Sequence, residues 1–132
     1  MDVGDRRIGV ALSDPLGFMA TPLTTIQRTS LKNDIAEVVR LAGEHEVENI
    51  IVGLPISLSG DEGPQAKLVQ GFIRRLSSDC SVPVATWDER YSTAEAERRL
   101  RQAGIQPSRQ KGRVDAAAAA IILQGWLDAQ PS

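Results

Sequence analysis

Cysteine, histidine and aromatic residues are scarce in this 132-residue chain. One cysteine, Cys80, excludes an internal disulfide, and with one histidine, His45, a Cys/His zinc site is excluded too. Such usage fits a reducing compartment, so a cytoplasmic location is expected. Phe, Tyr and Trp make up 4% of the residues, too few for a platform on which successive RNA bases stack. No apolar run approaches the roughly 18 residues needed to cross a bilayer, so no membrane association is expected. The stretch MDVGDRRIGV lacks the apolar core of a signal peptide. No repeat, low-complexity tract or linker interrupts the chain, and residues 1–132 are expected to form a single domain.

What is present is an ordinary globular composition, 42% apolar and 24% charged, with a net charge of −2. That net charge makes no case for a nucleic-acid partner, but its distribution does. From Arg90 to Arg113 there are seven basic residues and two acidic ones. A concentrated basic zone suits a polyanion. A solvated helix face followed by a loop would produce the same count.

The pattern predicts strands first. Ile8, Val10 and Leu12 alternate along one face, with Asp2 to Asp5 and a turn at Gly4 before them. A third strand is expected at Thr24 to Arg28, beyond the breakers Pro15, Gly17 and Pro22, and three strands on short links pair antiparallel. Residues 30–46 then show helical spacing with Ser30 as N-cap. NIIVGL, 49–54, reads as a buried parallel strand. A helix opens at Pro64 and carries Leu68, Phe72, Ile73 and Leu76. Val82 to Trp87 is the next buried strand. Ser92 and Glu95 are spaced as a capping box for a helix that ends near Gly104. A basic loop precedes a last helix, about Val114 to Leu127, whose alanines permit close backbone approach. A hairpin unit followed by β/α alternation is an α/β domain with a mixed sheet and helices on both faces.

In such sheets, sites form beyond the carboxyl ends of the parallel strands. Glu89, in the stretch WDERYST, lies at one such end, Asp115 in the first turn of the last helix, and Asp2 on the first strand. Three carboxylates from three elements could converge there and repel one another, and a divalent cation would relieve the repulsion. Each also has a structural explanation: Asp115 as a helix-dipole partner, Glu89 with Arg90 as a surface ion pair, Asp2 as a turn residue. Asp88 adjoins Glu89, but successive strand residues face opposite ways, so only one of them serves a site unless the strand has ended.

MDVGDRRIGVALSD, VGLP, WDERYST and VDAAAAAIIL, in this order, resemble the YqgF family, also called RuvX, across nearly the whole chain. The family was first described as Holliday junction resolvases and later as nucleases that mature the 5′ end of 16S rRNA. The resemblance implies an RNase H-like fold, a mixed five-stranded sheet whose first three strands are antiparallel. It implies an acidic triad of Asp2, Glu89 and Asp115 that is catalytic and holds Mg²⁺ or Mn²⁺ for attack of water on a phosphodiester. Arg7, Arg90, Arg109, Lys111 and Arg113 would meet backbone phosphates. In the family a short apolar strand precedes the first aspartate, whereas here only Met1 does. The first strand is therefore expected to be shortened, and Asp2 to fray.

The expected partner is pre-16S rRNA or another structured nucleic acid, met by a monomer or homodimer. Three other readings compete. A junction resolvase would act as a dimer on four-way DNA. DVGDRRIGVALSD also resembles the phosphate-binding hairpin of actin-like ATPases and sugar kinases, but those need two such domains. A non-catalytic RNA-binding protein is the third.

Overall fold

The seven residues Arg7–Ser13 form strand β2, which pairs antiparallel with β1 (Asp2–Val3) on one side and β3 (Ala20–Gln27) on the other. The structure, a computed structural model, describes residues 1–55, 63–89, 94–104 and 115–131, and of 94–96 only the backbone. The chain continues through α1 (Leu31–Glu44), β4 (Ile50–Leu54), α2 (Pro64–Asp79), β5 (Val84–Asp88), α3 (Ala94–Gln102) and α4 (Ala116–Asp128). β4 and β5 pair in parallel.

Met1 joins the two pieces of sheet. Its amine donates to the Ile51 carbonyl, and its carbonyl accepts from Gly53 N at 2.9 Å. The order across all five strands is therefore β3-β2-β1-β4-β5. The first strand is short, as expected, but Asp2 is not frayed: it pairs with Gly9 while Met1 is bonded to β4.

Alternation along β1 and β2 sends side chains into two cores. Met1, Val3, Ile8 and Val10 join Ile50, Val52 and Leu54 under α1 and α2, against Ile35, Val38, Phe72 and Leu76. On the opposite face Ala20, Ala120, Ile121 and Leu100 pack together beneath α4 and α3. Ser30 caps α1 as expected, its Oγ accepting from Asn33 N at 3.1 Å. At the start of α1 the buried carboxylate of Asp34 takes Arg28 Nε at 2.9 Å and Thr29 N at 3.0 Å. Arg28 also donates to the Gly4 carbonyl at 2.9 Å and lies 5.5 Å from the centre of the Phe72 ring. That knot ties the β1–β2 turn to α1.

Several boundaries differ from the expectations. β3 begins at Ala20, not Thr24, and runs through Pro22. Proline is tolerated there because β3 is an edge strand and its ladder shifts register between Val10 and Ala11, beside the proline. β5 starts at Val84 and, read as buried, is half open: Ala85 and Thr86 are exposed because the strand lies at the sheet edge. Leu68 is 62% exposed, since the buried stripe of α2 follows Ala66, Val69, Phe72 and Leu76. α3 stops at Gln102, with Gly104 at φ +83° close behind. The Ser92–Glu95 capping box lies outside the described residues. No described helix is long and apolar enough to cross a membrane.

Candidate active site

β1, β4 and β5 run the same way, so their carboxyl ends share one edge of the sheet. Asp2 sits on β1 near that edge, and Glu89 is the first residue after β5. The strand has ended at Asp88, which frees Glu89 from strict alternation and turns it toward β1. Its side chain lies over the backbone of β4. A Cβ placed on Gly53 would come within 2.9 Å of Glu89 Oε1 and 3.2 Å of its Cγ. It would also fall 2.6 Å from Ile122 Cδ1, so the space above Gly53 is shared by Glu89 and Ile122 of α4.

Asp2 and Glu89 hydrogen-bond to each other through their carboxyl groups, a contact that one shared proton makes possible. Burial pushes Glu89 up to about 7, and the charge of Asp2 and their hydrogen bond add to the shift. Asp2 is also raised, chiefly by burial, with Asp115 adding repulsion. Two carboxyl groups brought out of water side by side cannot both ionise cheaply. The charge of the Met1 amine acts the other way on both carboxyl groups, and desolvation lowers that amine to about 6.

Asp115 arrives by backbone contact. A Cβ on Gly9 would fall 2.0 Å from the Asp115 carbonyl oxygen, so the start of α4 rests directly on β2. Gly9 is the partner of Asp2 on one side and Thr25 on the other. Thr25 Oγ1 accepts from Ala116 N at 3.2 Å and pins the helix start over this row. Asp115 is the N-cap of α4 and not part of its first turn, with Oδ1 accepting from Ala118 N at 2.9 Å. Its role as a helix-end partner is therefore real, and it coexists with a place close enough to Asp2 to raise that carboxyl.

Among the described residues no three Asp, Glu, His or Cys side chains are drawn together closely enough to close a metal site. The donor set nevertheless suits a hard cation: two carboxyl groups in contact and a third beside them, all oxygen, held together against their own repulsion. Arg7 is exposed on β2, two residues from Gly9 and on the same face of the sheet as Asp2, at the site's edge. Arg90, Arg109, Lys111 and Arg113 lie outside the described residues.

Gly9, Gly53 and Thr25 place the carboxylates, and the sequence reading did not single them out. The signal was a glycine inside each of two strand patterns, RIGVAL and IIVGL, which marks close approach by another group. Thr25 carried no such signal.

This strand order and two-sided helix cover define an RNase H-like α/β fold. The solved structure of T. thermophilus RuvC in complex with a Holliday junction substrate has that fold. It matches at a TM-score of 0.63 and 16% identity, over 97% of this chain and 90% of that one. The family model described as RuvX: Holliday junction resolvase matches residues 1–129, and the chain belongs to that family. A relative from Chloroflexus aurantiacus, named "Putative pre-16S rRNA nuclease", is 48% identical over the whole chain, which spans 86% of that protein. One of the same name from Myxococcus xanthus is 46% identical over 98% of the chain and 85% of its own length.

Proposed function

We propose that this chain, as a single domain, is a metal-dependent endonuclease acting on the 5′ region of pre-16S rRNA in the cytoplasm. The observation that carries this reading is the half-buried Asp2–Glu89 pair with Asp115 beside it, at the carboxyl edge of a RuvX-family sheet. Carboxyl groups held in partial burial with raised pKa values cost stability and are kept where chemistry needs them.

Asp2, Glu89 and Asp115 would hold Mg²⁺ or Mn²⁺. The cation would supply positive charge against the charge that develops on a phosphodiester under attack. The protein's own share is placement. Gly53 lets Glu89 lie flat on the sheet, and Gly9 with Thr25 fixes the origin of α4. Arg7, exposed at the rim, would meet a backbone phosphate, as would Arg90, Arg109, Lys111 and Arg113.

The test is cleavage of a pre-16S 5′ fragment with Mg²⁺, Mn²⁺ or EDTA, beside Glu89→Gln and Asp115→Asn proteins. Loss of metal-dependent cleavage in both variants is expected, and full activity in either would sink the site. The family's description as Holliday junction resolvases and its structural likeness to RuvC favour one second reading, a junction nuclease. A four-way DNA junction in the same assay separates the two. A non-catalytic RNA-binding protein would have no use for the carboxyl pair.

A further inference from the structure

Leu16 and Phe18, at the tip of the β2–β3 hairpin, are exposed by 77% and 64%, the most exposed of the large apolar side chains among the described residues. The tip is ordered from within. Asp14 Oδ1 accepts from Phe18 N at 2.7 Å and Met19 N at 3.0 Å. Asp14 N donates to the Met19 carbonyl, and Gly17, at φ +77°, donates to the Asp14 carbonyl, both at 3.0 Å. The loop backbone is therefore set before a ligand arrives, which lowers the ordering cost of binding at its two apolar side chains.

Gln124, fully buried in α4, ties the tip to the body. Its Oε1 accepts from Ala20 N, and its Nε2 donates to the Phe18 carbonyl and to Asp128 Oδ1, all at 3.0 Å. The same Asp128 oxygen takes Arg99 Nη1 at 3.1 Å. Arg99 is 49% exposed and keeps further donors on its guanidinium. The Arg99 guanidinium and the Phe18 backbone are thus at most three hydrogen-bond lengths apart, on the order of one nucleotide from base to phosphate. Exposed Arg98 and Arg101 stand on the same helix. α4 connects this place to the carboxylates: Gln124 is nine residues past Asp115, about 14 Å along the helix.

Resting on the nuclease reading, we propose that Phe18 and Arg99 form a single-nucleotide subsite for the unpaired RNA flanking the cleaved phosphate, the base on the Phe18 ring and a phosphate at Arg99. This is one stacking contact, not the platform that the low aromatic content excludes. Arg99, linked to the tip through Asp128 and Gln124, favours RNA over an apolar protein surface as its occupant. Such a contact is sequence-tolerant, since every base offers a flat face.

The test is binding of a short single-stranded RNA and of a duplex RNA by fluorescence anisotropy in EDTA, so that no cleavage intervenes. Full-length wild type, Phe18→Ala and Phe18→Trp are compared. Phe18→Ala is expected to bind the single strand about tenfold more weakly, Phe18→Trp to match wild type, and duplex binding to stay unchanged. Equal single-strand affinity of wild type and Phe18→Ala would overturn the inference, as would no single-strand binding by wild type. So would an equal loss on single strand and duplex. If Phe18→Ala instead turned a sedimenting dimer into a monomer with RNA affinity intact, a second copy would be the occupant. Glu89→Gln serves as the control in a cleavage assay. Cleavage lost there while Phe18→Ala binds normally sinks the subsite and leaves the nuclease, whereas full cleavage in Glu89→Gln sinks the carboxylate site and leaves the subsite to the binding result.

Discussion

Removing the charge of Glu89 should make the metal-free protein more stable while destroying its activity. Its carboxyl has an ordinary value of 4.5 and stands at about 7 in the folded protein, chiefly because it is buried. For an acid raised in the folded state, the penalty is absent below 4.5, where both states carry the proton. It grows through the window from 4.5 to 7 and is complete above 7. Stability therefore falls as pH rises through that window, and the raised Asp2 contributes with the same sign. At about 1.4 kcal/mol per unit the full shift would amount to roughly 3 kcal/mol. Water reaches part of the side chain and screens it, so about 1–2 kcal/mol is the expected gain in Glu89→Gln at pH 8. For a domain of this size that is roughly 3–8 °C in melting temperature.

The assay is thermal denaturation of wild type and Glu89→Gln at pH 8 and pH 4.5, with EDTA and with Mg²⁺. In EDTA at pH 8 the variant should melt higher, and at pH 4.5 the difference should close. Mg²⁺ should raise wild type at pH 8 and leave Glu89→Gln unmoved. A variant that melts at or below wild type in EDTA at both pH values would refute the claim that this carboxylate is held against its own electrostatics.

Other substitutions probe the supports. Gly9→Ala forces a methyl group into the Asp115 carbonyl, and a loss of about 3 kcal/mol in chemical denaturation together with loss of cleavage is expected. Thr25→Val removes the acceptor for Ala116 N; urea titration should show a loss of about 1 kcal/mol, with cleavage reduced more than RNA affinity. Arg7→Ala should leave melting unchanged, weaken RNA binding, and lower the slope of log affinity against log salt by about one. Asp34→Ala leaves Arg28 without its buried partner, and a loss of about 3 kcal/mol is expected in urea titration.

Much of this was legible in the sequence because each signal was local. Ser30 announced α1, Pro64 opened α2, and the apolar run before WDER announced a strand that ends where Glu89 is needed. Order of motifs gave the family, and alternation gave the two faces of β2. What escaped was decided by distant partners. Pro22 reads as a breaker until β3 is known to be the outermost strand. Leu68 reads as core until the neighbours of α2 set which stripe is covered. Thr25 is one of three threonines in an edge strand, and only the arrival of α4 makes it a helix anchor. The same holds for Asp2, whose short strand looked weak in isolation and is fastened by backbone bonds to β4 that begin at Met1.

That seam explains why fold and site are inseparable here. Met1 hydrogen-bonds the antiparallel piece of sheet to the parallel piece. α4 spans the junction, packing on β1, β2, β3 and β4 together. Its alanines let it lie close, and Gly9 lets it begin in contact with the strand. The helix that clamps the two pieces thus carries Asp115 as its N-cap and Gln124 under the hairpin tip. Asp2 lies on the short strand at the seam, and Glu89 reaches it across Gly53 from the far side. Any change that opens the seam must therefore separate the carboxyl groups before it unfolds the domain. Activity should consequently fail at lower denaturant than helix content does, and coincident loss of the two would show that α4 holds the sheet more tightly than the site requires.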